Sequence, residues 1–490
     1  MQDFQLVSGL EVHVELATRT KIFCACANQF GKEPNTLVCP VCLGLPGSLP
    51  VLNAQVVEYA VMAGLALNCT IAGHSKFDRK QYFYPDLDKA YQISQYDLPI
   101  CLNGWLDIKL PAQQPGGEPL IKRIGITRIH IEEDAGKLLH SAAGGQISAA
   151  DSSLVDYNRA GVPLIEIVSE PDIRSPEEAV AYLDALKEIL LHLGVSDCNM
   201  EEGSLRCDAN VSMMRKGAAE FGTRAEVKNM NSFKNVAKAM EAEAERQVEL
   251  LEGGGTVVME TRAWDADKGV TRSMRSKEAA HDYRYFPEPD LVPLDLSRER
   301  VESIRKKLPE LPEAKRLRLV NEYAIPEYDA GVLSAQAALA DYFEAVAKGS
   351  GNAKAASNWV MGELTGALNK QGLGITESPV KSAQLGRLIA LIDASTLSGK
   401  MAKEVFAKML ETGEDPDAIV AKEGLAQVTD QGAIEGVIEA AMAANPTVVA
   451  EFRSGKEAVL GFMVGQVMKL SKGKANPALV NALLKKKMAG

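Results

Sequence analysis

Four stretches within the first ~290 residues alternate apolar and polar positions with a period of two, the mark of strands with two unlike faces. In Leu10-Glu11-Val12-His13-Val14-Glu15-Leu16 the even positions are apolar, which gathers Glu11, His13 and Glu15 on the opposite face. Leu205, Cys207, Ala209 and Val211 alternate with Arg206, Asp208, Asn210 and Ser212, and Ala225 and Val227 alternate with Arg224, Glu226 and Lys228. Ile129 and Ile131 alternate with Arg128, His130 and Glu132, while Glu133 and Asp134 follow at the strand's end. Elsewhere the period is helical. Ser175-Pro176-Glu177-Glu178 supplies an N-cap, a proline for the first turn and a reciprocal glutamate, ahead of Val180, Leu183, Leu186, Ile189, Leu190, Leu193 and a stop at Gly194. Ser232 to Glu252 predicts a second long helix, closed by Gly253-Gly254-Gly255, with a Glu- and Arg-rich face in water. Near the end, 457–470 and 477–488 predict a helical hairpin in which Asn476 caps and Pro477 starts the second helix.

These patterns divide the chain. Up to about residue 290 it reads as mixed α and β, and beyond that as helix, with the proline-dense run Pro287-Glu288-Pro289-Asp290-Leu291-Val292-Pro293 between. Thr412-Gly413-Glu414-Asp415-Pro416 marks a weaker break within the helical part. A length of 490 residues suits two to four domains. No apolar run approaches the ~20 residues of a membrane span, and Met1 to Leu16 has neither the basic start nor the long apolar stretch of a signal peptide, so a cytoplasmic protein without membrane contact is expected.

The polar strand faces carry chemistry of two signs. A solvated antiparallel sheet is one reading of such alternation. The other starts from residue type: Glu11-x-His13-x-Glu15 and Glu132-Glu133-Asp134 are hard-ligand sets suited to Mg²⁺, and Arg79, Lys80, Arg206, Arg224 and Lys228 are suited to phosphate oxygens. Together they suggest ATP handled on a sheet face, since Gly136-Lys137 and Gly399-Lys400 lack the rest of a P-loop. The segment Lys76-Phe77-Asp78-Arg79-Lys80-Gln81-Tyr82-Phe83-Tyr84-Pro85-Asp86 interleaves aromatic and basic residues, either to stack a base or to pack on the core. Cys24, Cys26, Cys39 and Cys42 form paired knuckles with the spacing of a closed tetrahedral zinc site, structural rather than catalytic; Cys69, Cys101, Cys198 and Cys207 read as core.

Several long strings resemble the GatB/GatE family, one component of the glutamine-dependent aspartyl/glutamyl-tRNA(Asn/Gln) amidotransferases. They are Gly9-Leu10-Glu11-Val12-His13-Val14-Glu15-Leu16, Tyr82-Phe83-Tyr84-Pro85-Asp86, Glu132-Glu133-Asp134-Ala135-Gly136-Lys137 and Pro163-Leu164-Ile165-Glu166-Ile167-Val168-Ser169-Glu170-Pro171. Others are Glu201-Glu202-Gly203-Ser204-Leu205-Arg206-Cys207-Asp208, Asp282-Tyr283-Arg284-Tyr285-Phe286-Pro287 and Lys472-Gly473-Lys474-Ala475-Asn476-Pro477, so the likeness covers essentially the whole chain. The resemblance implies an α+β fold: a cradle-shaped, glutamine-synthetase-like catalytic sheet domain at 1–293 with a zinc-binding insert at 24–42, a helical domain at 294–408, and a YqeY-like tail at 409–490. It implies ATP-dependent phosphorylation of the side-chain carboxylate of misacylated Glu-tRNA(Gln) or Asp-tRNA(Asn), then amidation with ammonia from glutamine. The implied partners are an amidase and a small third protein that holds the assembly together, in the GatCAB heterotrimer. On the family's motif Glu11, His13, Glu132 and Glu133 are expected at Mg²⁺, with Glu15, Glu202 and Asp208 as further members. Arg79, Lys80, Arg206 and Lys228 are expected at ATP phosphates with Asp208 beside them, and Glu11, His13, Lys80, Glu132 and Glu133 in catalysis. A tRNA-binding scaffold and a ligase for free glutamate are the alternatives that ATP use and tRNA dependence separate.

The charge then takes on meaning. The formal net charge is −11, yet residues 451–490 hold eight basic residues and two acidic ones, a net of +6 that leaves −17 on the rest. That basic end, with Lys469, Lys472, Lys474, Lys485 and Lys486, is expected to grip tRNA by backbone and shape.

Overall fold

The computed structural model describes residues 3–112, 114, 117–140, 152–276, 283–425, 431–471 and 474–489. The chain separates into two compact units, Met1–Leu311 and Pro312–Gly490.

In the first unit the strands follow one another as β1 (Phe4–Glu15), β2 (Thr70–Ile71), β3 (His74–Ser75), β4 (Asp78–Gln81), β5 (Tyr91–Ser94), β6 (Cys101–Leu110), β7 (Leu120–Glu133) and β8 (Lys137–His140). Then come β9 (Ser153–Asp156), β10 (Pro163–Ser169), β11 (Leu205–Arg215), β12 (Ala225–Lys228), β13 (Glu260–Asp265), β14 (Val270–Ser276), β15 (Phe286–Pro287) and β16 (Leu294–Asp295). Nine of them build one sheet in the order β14-β13-β12-β11-β1-β10-β7-β6-β2, antiparallel throughout except between β12 and β13.

The period-two alternation decides what each face of this sheet meets. Leu10, Val12, Val14, Ile129, Ile131, Ile165, Ile167, Cys207 and Ala209 are buried in one core. Helices α1 (Ala54–Ala66), α2 (Pro176–Leu193) and α3 (Phe233–Glu252) cover that face, packing on β7, β6 and β11 respectively. The opposite face is left for the charged residues. Helix α2 has the ends its sequence specifies: the Ser175 hydroxyl accepts from the Glu178 N–H, and Gly194 takes a left-handed φ of 64°. The Glu178 carboxylate reaches past the expected residue, accepting from the Arg174 N–H at 2.7 Å and from Lys122 at 2.7 Å.

Two expectations about this unit change. The α3 face is not wholly in water, because Glu243 is fully buried and accepts from Arg246, Gln247 and Thr271. The proline-dense segment, where the boundary between the first two domains is expected, belongs with the first unit. Phe286 and Pro287 pair with Arg79 and Asp78 of β4, Leu294 and Asp295 pair with β3, and Leu296, Val301, Leu308 and Leu311 pack on the core, so the first unit runs on to Leu311.

The second unit is helical. Residues from Leu319 to Val420 close one apolar core and residues from Ile434 to Met488 another. A helix ends at Thr412, Gly413 turns with a left-handed φ of 69°, and the next helix starts at Pro416. The terminal hairpin pairs Leu460–Leu470 with Pro477–Ala489, and the Asn476 side chain accepts from the N–H groups of Ala478 and Leu479.

Candidate functional site

The polar face of the large sheet floors a cleft of about 600 Å³. Register fixes who meets whom there. His13 of β1 lies opposite Arg206 of β11 on one side and Glu166 of β10 on the other, and Glu166 lies opposite His130 of β7, a row across four strands. Beside it Glu11 lies opposite Asp208.

Two groups of hard ligands result. His13, Glu132 and Glu166 bring ligating atoms within 4.8 Å of one another, and Glu11, Asp208 and Glu226 do the same. His13 Nε2 is 3.5 Å from Glu166 and 3.8 Å from Glu132, while His130 Nε2 is 3.2 Å from Glu166 and 3.6 Å from Glu132. Burial alone would lower the pKa of both imidazoles; Glu166 and Glu132 outweigh it, raising that of His13 and pushing that of His130 up to about 9. Burial likewise opposes ionisation of Glu166, yet the two imidazoles hold its carboxyl well below the usual range. His130 Nδ1 is buried without a hydrogen-bond partner among the described residues, which leaves one polar atom of the set uncommitted. Carboxylates crowded this closely suit a divalent cation, with an imidazole as an additional ligand in one group.

Cations and aromatic rings frame these groups. Lys80 stands over the cleft, 5.0 Å from the Tyr283 ring and 5.8 Å from the Tyr82 ring. Burial would lower its pKa, but Glu132 and the tyrosines Tyr285 and Tyr82 reverse the shift, so it stays an ammonium at any working pH. Lys228 pairs with Asp208 and lies 3.3 Å from Glu226. Tyr285 stacks on Tyr96 with centroids 4.1 Å apart, completing an aromatic wall.

Several expected members lie elsewhere. Glu133 follows Glu132 directly, so the strand turns it to the opposite face; there its carboxylate accepts from the Ile93 N–H at 2.9 Å and pairs with Lys89 at 2.9 Å. Arg79 is turned away from Lys80 by the same alternation. Its guanidinium holds the buried Glu288 carboxylate at 2.7 and 2.8 Å and packs over the Tyr91 ring, so it is committed to structure. Arg206 keeps its place in the row, but it bonds Asp134 at 2.8 Å at one end of the sheet. Glu15 belongs to that corner too: burial and the neighbouring Asp134 raise its carboxyl pKa to about 8, against Arg206 and Arg159. Glu202 is exposed on the turn before β11. Glu166 joins His13 and Glu132 although no spacing in the sequence groups it with them. It is the single charge in the seven-residue strand Pro163–Ser169, whose other residues are apolar apart from Ser169, and a buried lone glutamate in such a run is the signal that marks it.

A second centre lies at the cysteines. Cys24, Cys26, Cys39 and Cys42 place all four sulfurs within 4.8 Å of one another, with Cys42 Sγ 3.9 Å from Cys39 and 4.0 Å from Cys26. The Cys39 N–H donates to Cys42 Sγ at 3.1 Å, and the fully buried Lys21 sends its ammonium to the same sulfur at 3.5 Å. The Cys42 thiol is lowered to about 4, first by its hydrogen bond with Cys24, against burial, with Cys39 and Lys21 adding to the effect. Such a set is ready to bind a metal ion.

In the terminal hairpin Lys469, Lys485 and Lys486 are exposed and Lys474 is half-buried, none with an ion-pair partner among the described residues, whereas Lys487 is tied to Glu435 and Glu439. Lys472 lies outside the described residues.

Comparison with known proteins agrees over the full length. The family model for the GatB/GatE catalytic domain matches residues 6–302, and that for the GatB domain matches residues 341–488. The chain is similar to the GatB component of the aspartyl/glutamyl-tRNA(Asn/Gln) amidotransferase of Carboxydothermus hydrogenoformans, 58% identical over 489 residues and covering 100% of both chains. To the corresponding protein of Trichlorobacter lovleyi it is 60% identical, covering 99% of this chain and 100% of that one. To that of Geobacter sulfurreducens it is 59% identical with 100% of each covered.

Proposed function

The chain belongs to the GatB/GatE family, and from that premise we propose that it is the GatB component of a tRNA-dependent amidotransferase, converting Glu-tRNA(Gln), Asp-tRNA(Asn) or both into the amidated forms. ATP phosphorylates the side-chain carboxylate of the misacylated amino acid. Ammonia then attacks the carbonyl carbon, the bond to the phosphate oxygen breaks, and inorganic phosphate leaves as the nitrogen loses a proton. The first step is needed because a carboxylate is a poor acyl donor: its oxygen leaves badly until a phosphoryl group is attached.

The observation that carries this reading is the pairing of two carboxylate groups with Lys80 in one cleft. Mg²⁺ held by His13, Glu132 and Glu166 and by Glu11, Asp208 and Glu226 would neutralise the phosphate charge that repels the attacking carboxylate. Lys80, kept protonated, offers its ammonium to the transferring phosphoryl group or to the substrate carboxylate. Lys228, held by Asp208 and Glu226, adds positive charge on the far side of the cleft. The tyrosine wall excludes water from the face where an acyl phosphate would otherwise hydrolyse.

The cysteine set is read as structural zinc. Four thiolates about 2.3 Å from zinc stand roughly 3.8 Å apart, close to the 3.9 and 4.0 Å seen at Cys42, and no ligand position is left for catalysis. The working division is a catalytic part at 1–311 carrying the insert 24–42, a helical part at 312–408, and a tail at 409–490 that contacts tRNA through Lys469, Lys474, Lys485 and Lys486 and, by its place in the same basic run, Lys472. Glutamine is the ammonia source, through an amidase partner joined by a small third protein in a heterotrimer, in the cytoplasm. The test is amidation of each misacylated tRNA by the reconstituted complex with and without ATP. Turnover that requires both ATP and tRNA is expected; turnover of free glutamate, or amidation without ATP, would overturn the reading.

A further inference from the structure

The one parallel pairing of the large sheet, β12 with β13, sets Thr261 directly opposite Glu226. Alternation along β13 then decides where its side chains go. Arg262 and Trp264 turn to the helical side, where Arg262 meets Glu243 of α3 and Trp264 enters the core. Thr261 turns to the polar face and lines the cleft. Thr261 and Glu226 are 5% and 6% exposed, and the Thr261 hydroxyl donates to Glu226 Oε2 at 2.9 Å. Glu226 belongs to the group formed with Glu11 and Asp208, and its other oxygen is 3.3 Å from Lys228. The two remaining carboxylates have donors of their own: Asn210 Nδ2 bonds Glu11 Oε1 at 2.8 Å, and Lys228 pairs with Asp208. Thr261 is distinct in being buried together with its carboxylate, which leaves little room for water to take the hydroxyl's place. Its β-branched side chain also has few rotamers on a strand, so the hydroxyl is held in one direction.

The far side of the same strand is braced. The Arg262 guanidinium lies 3.2 Å from the fully buried Glu243 and donates to the hydroxyl and carbonyl oxygens of Thr271 at 2.9 and 2.8 Å. The Thr271 hydroxyl donates to Glu243 at 2.7 Å. Gln247 donates to Glu243 at 2.8 Å and to the Val211 carbonyl oxygen of β11 at 3.0 Å. These buried polar groups satisfy one another and lock β13 to β14, α3 and β11. A buried charge network that the cleft chemistry does not touch thereby gains a purpose: it keeps in place the strand that carries Thr261. We propose that Thr261 is a positioning residue for the second carboxylate group. It acts through Glu226, fixing the orientation of that carboxylate, and touches neither substrate nor metal. Ligating carboxylates commonly depend on such outer-shell donors.

This assignment rests on the reading of Glu11, Asp208 and Glu226 as a group that holds Mg²⁺, and the test separates the two. Full-length, zinc-loaded chain is titrated with Mn²⁺, and electron paramagnetic resonance of the free ion counts the sites and their affinities. Wild type is expected to hold two Mn²⁺, one at each carboxylate group. Thr261→Val keeps the side chain's shape and removes the donor; it is expected to weaken one of the two sites about 10- to 100-fold and to leave the other unchanged. Thr261→Ser restores the hydroxyl and is expected to bring that site back to within a few fold of wild type. In a Glu226→Gln background the valine substitution is expected to add no further loss, because the two residues act as one unit. Two sites as tight as wild type in Thr261→Val, an equal loss at both, or a Thr261→Ser chain as weak as Thr261→Val would overturn the positioning role alone. A wild-type chain that holds fewer than two Mn²⁺ would overturn the metal reading and this assignment with it.

Discussion

Lys21→Met removes a positive charge from a place where water cannot replace it. Lys21 is 0% exposed, and its ammonium lies 3.5 Å from Cys42 Sγ and 3.3 Å from the Tyr157 carbonyl oxygen. Four thiolates around a divalent cation carry a net charge of about −2, so this ammonium is the adjacent counter-charge. At 3.5 Å and an effective dielectric constant of about 20, a unit pair attracts by about 5 kcal/mol. Desolvation of a buried ammonium opposes that by several kcal/mol, leaving a net effect on the scale of about 1.4–2.7 kcal/mol, the 10- to 100-fold that outer-shell partners commonly contribute to metal affinity. Methionine fills most of the lysine stem's space, so charge is what changes. The assay is competition between the zinc-loaded full-length chain and a chromophoric chelator, with alkylation of the cysteines as a second readout. A Kd for zinc raised about 10- to 100-fold, with faster alkylation, is expected. A folded Lys21→Met chain that holds zinc as tightly as wild type would refute the reasoning.

Arg79→Ala should cost about 3–5 kcal/mol of stability, because the Glu288 side chain is 0% exposed and loses its bidentate partner; denaturation in urea measures this, and the KM for ATP is expected to stay unchanged. Replacing Lys469, Lys485 and Lys486 together by Glu should weaken tRNA binding and flatten its dependence on salt, each phosphate contact accounting for roughly 0.7–0.9 of the logarithmic slope; an unchanged slope would show the hairpin to be ordinary surface. For Asp329, burial would raise the carboxyl pKa, but hydrogen bonds from Lys354 and Ser357 lower it. A depressed carboxylate stabilises the fold above its ordinary range and loses that contribution as pH falls through the folded value. Thermal unfolding of Asp329→Asn should therefore fall less steeply than wild type below about pH 4.

What the sequence made legible was local. The polar rows of β1, β11 and β12 follow from alternation within each strand, and Ser175, Gly194, Ser232 and Asn476 act at the helix ends that their residue types specify. What it hid was distance and parity. Arg79 and Arg206 have the residue type for phosphate, but their carboxylate partners lie 209 and 72 residues away, so nothing nearby in the chain shows them to be spoken for. Glu133 shares a string with Glu132, yet one step along a strand exchanges faces. Glu166 is the one charge in an otherwise largely apolar strand, and it is β10 lying between β1 and β7 that makes it the centre of a row. Glu243 sits on a helix face that reads as solvated until β13 and β14 supply Arg262 and Thr271 around it.

The central claim is that the carboxylate groups on the sheet face carry phosphoryl transfer to the misacylated amino acid. Transfer of labelled γ-phosphate from ATP to Glu-tRNA or Asp-tRNA, measured in the reconstituted complex with glutamine withheld, tests it most directly when wild type is compared with Glu166→Gln and Glu132→Gln. The account predicts transfer by the wild type and its loss in both variants, by about 100-fold or more, with tRNA binding kept within a few fold. Phosphoryl transfer that survives in both variants would contradict it.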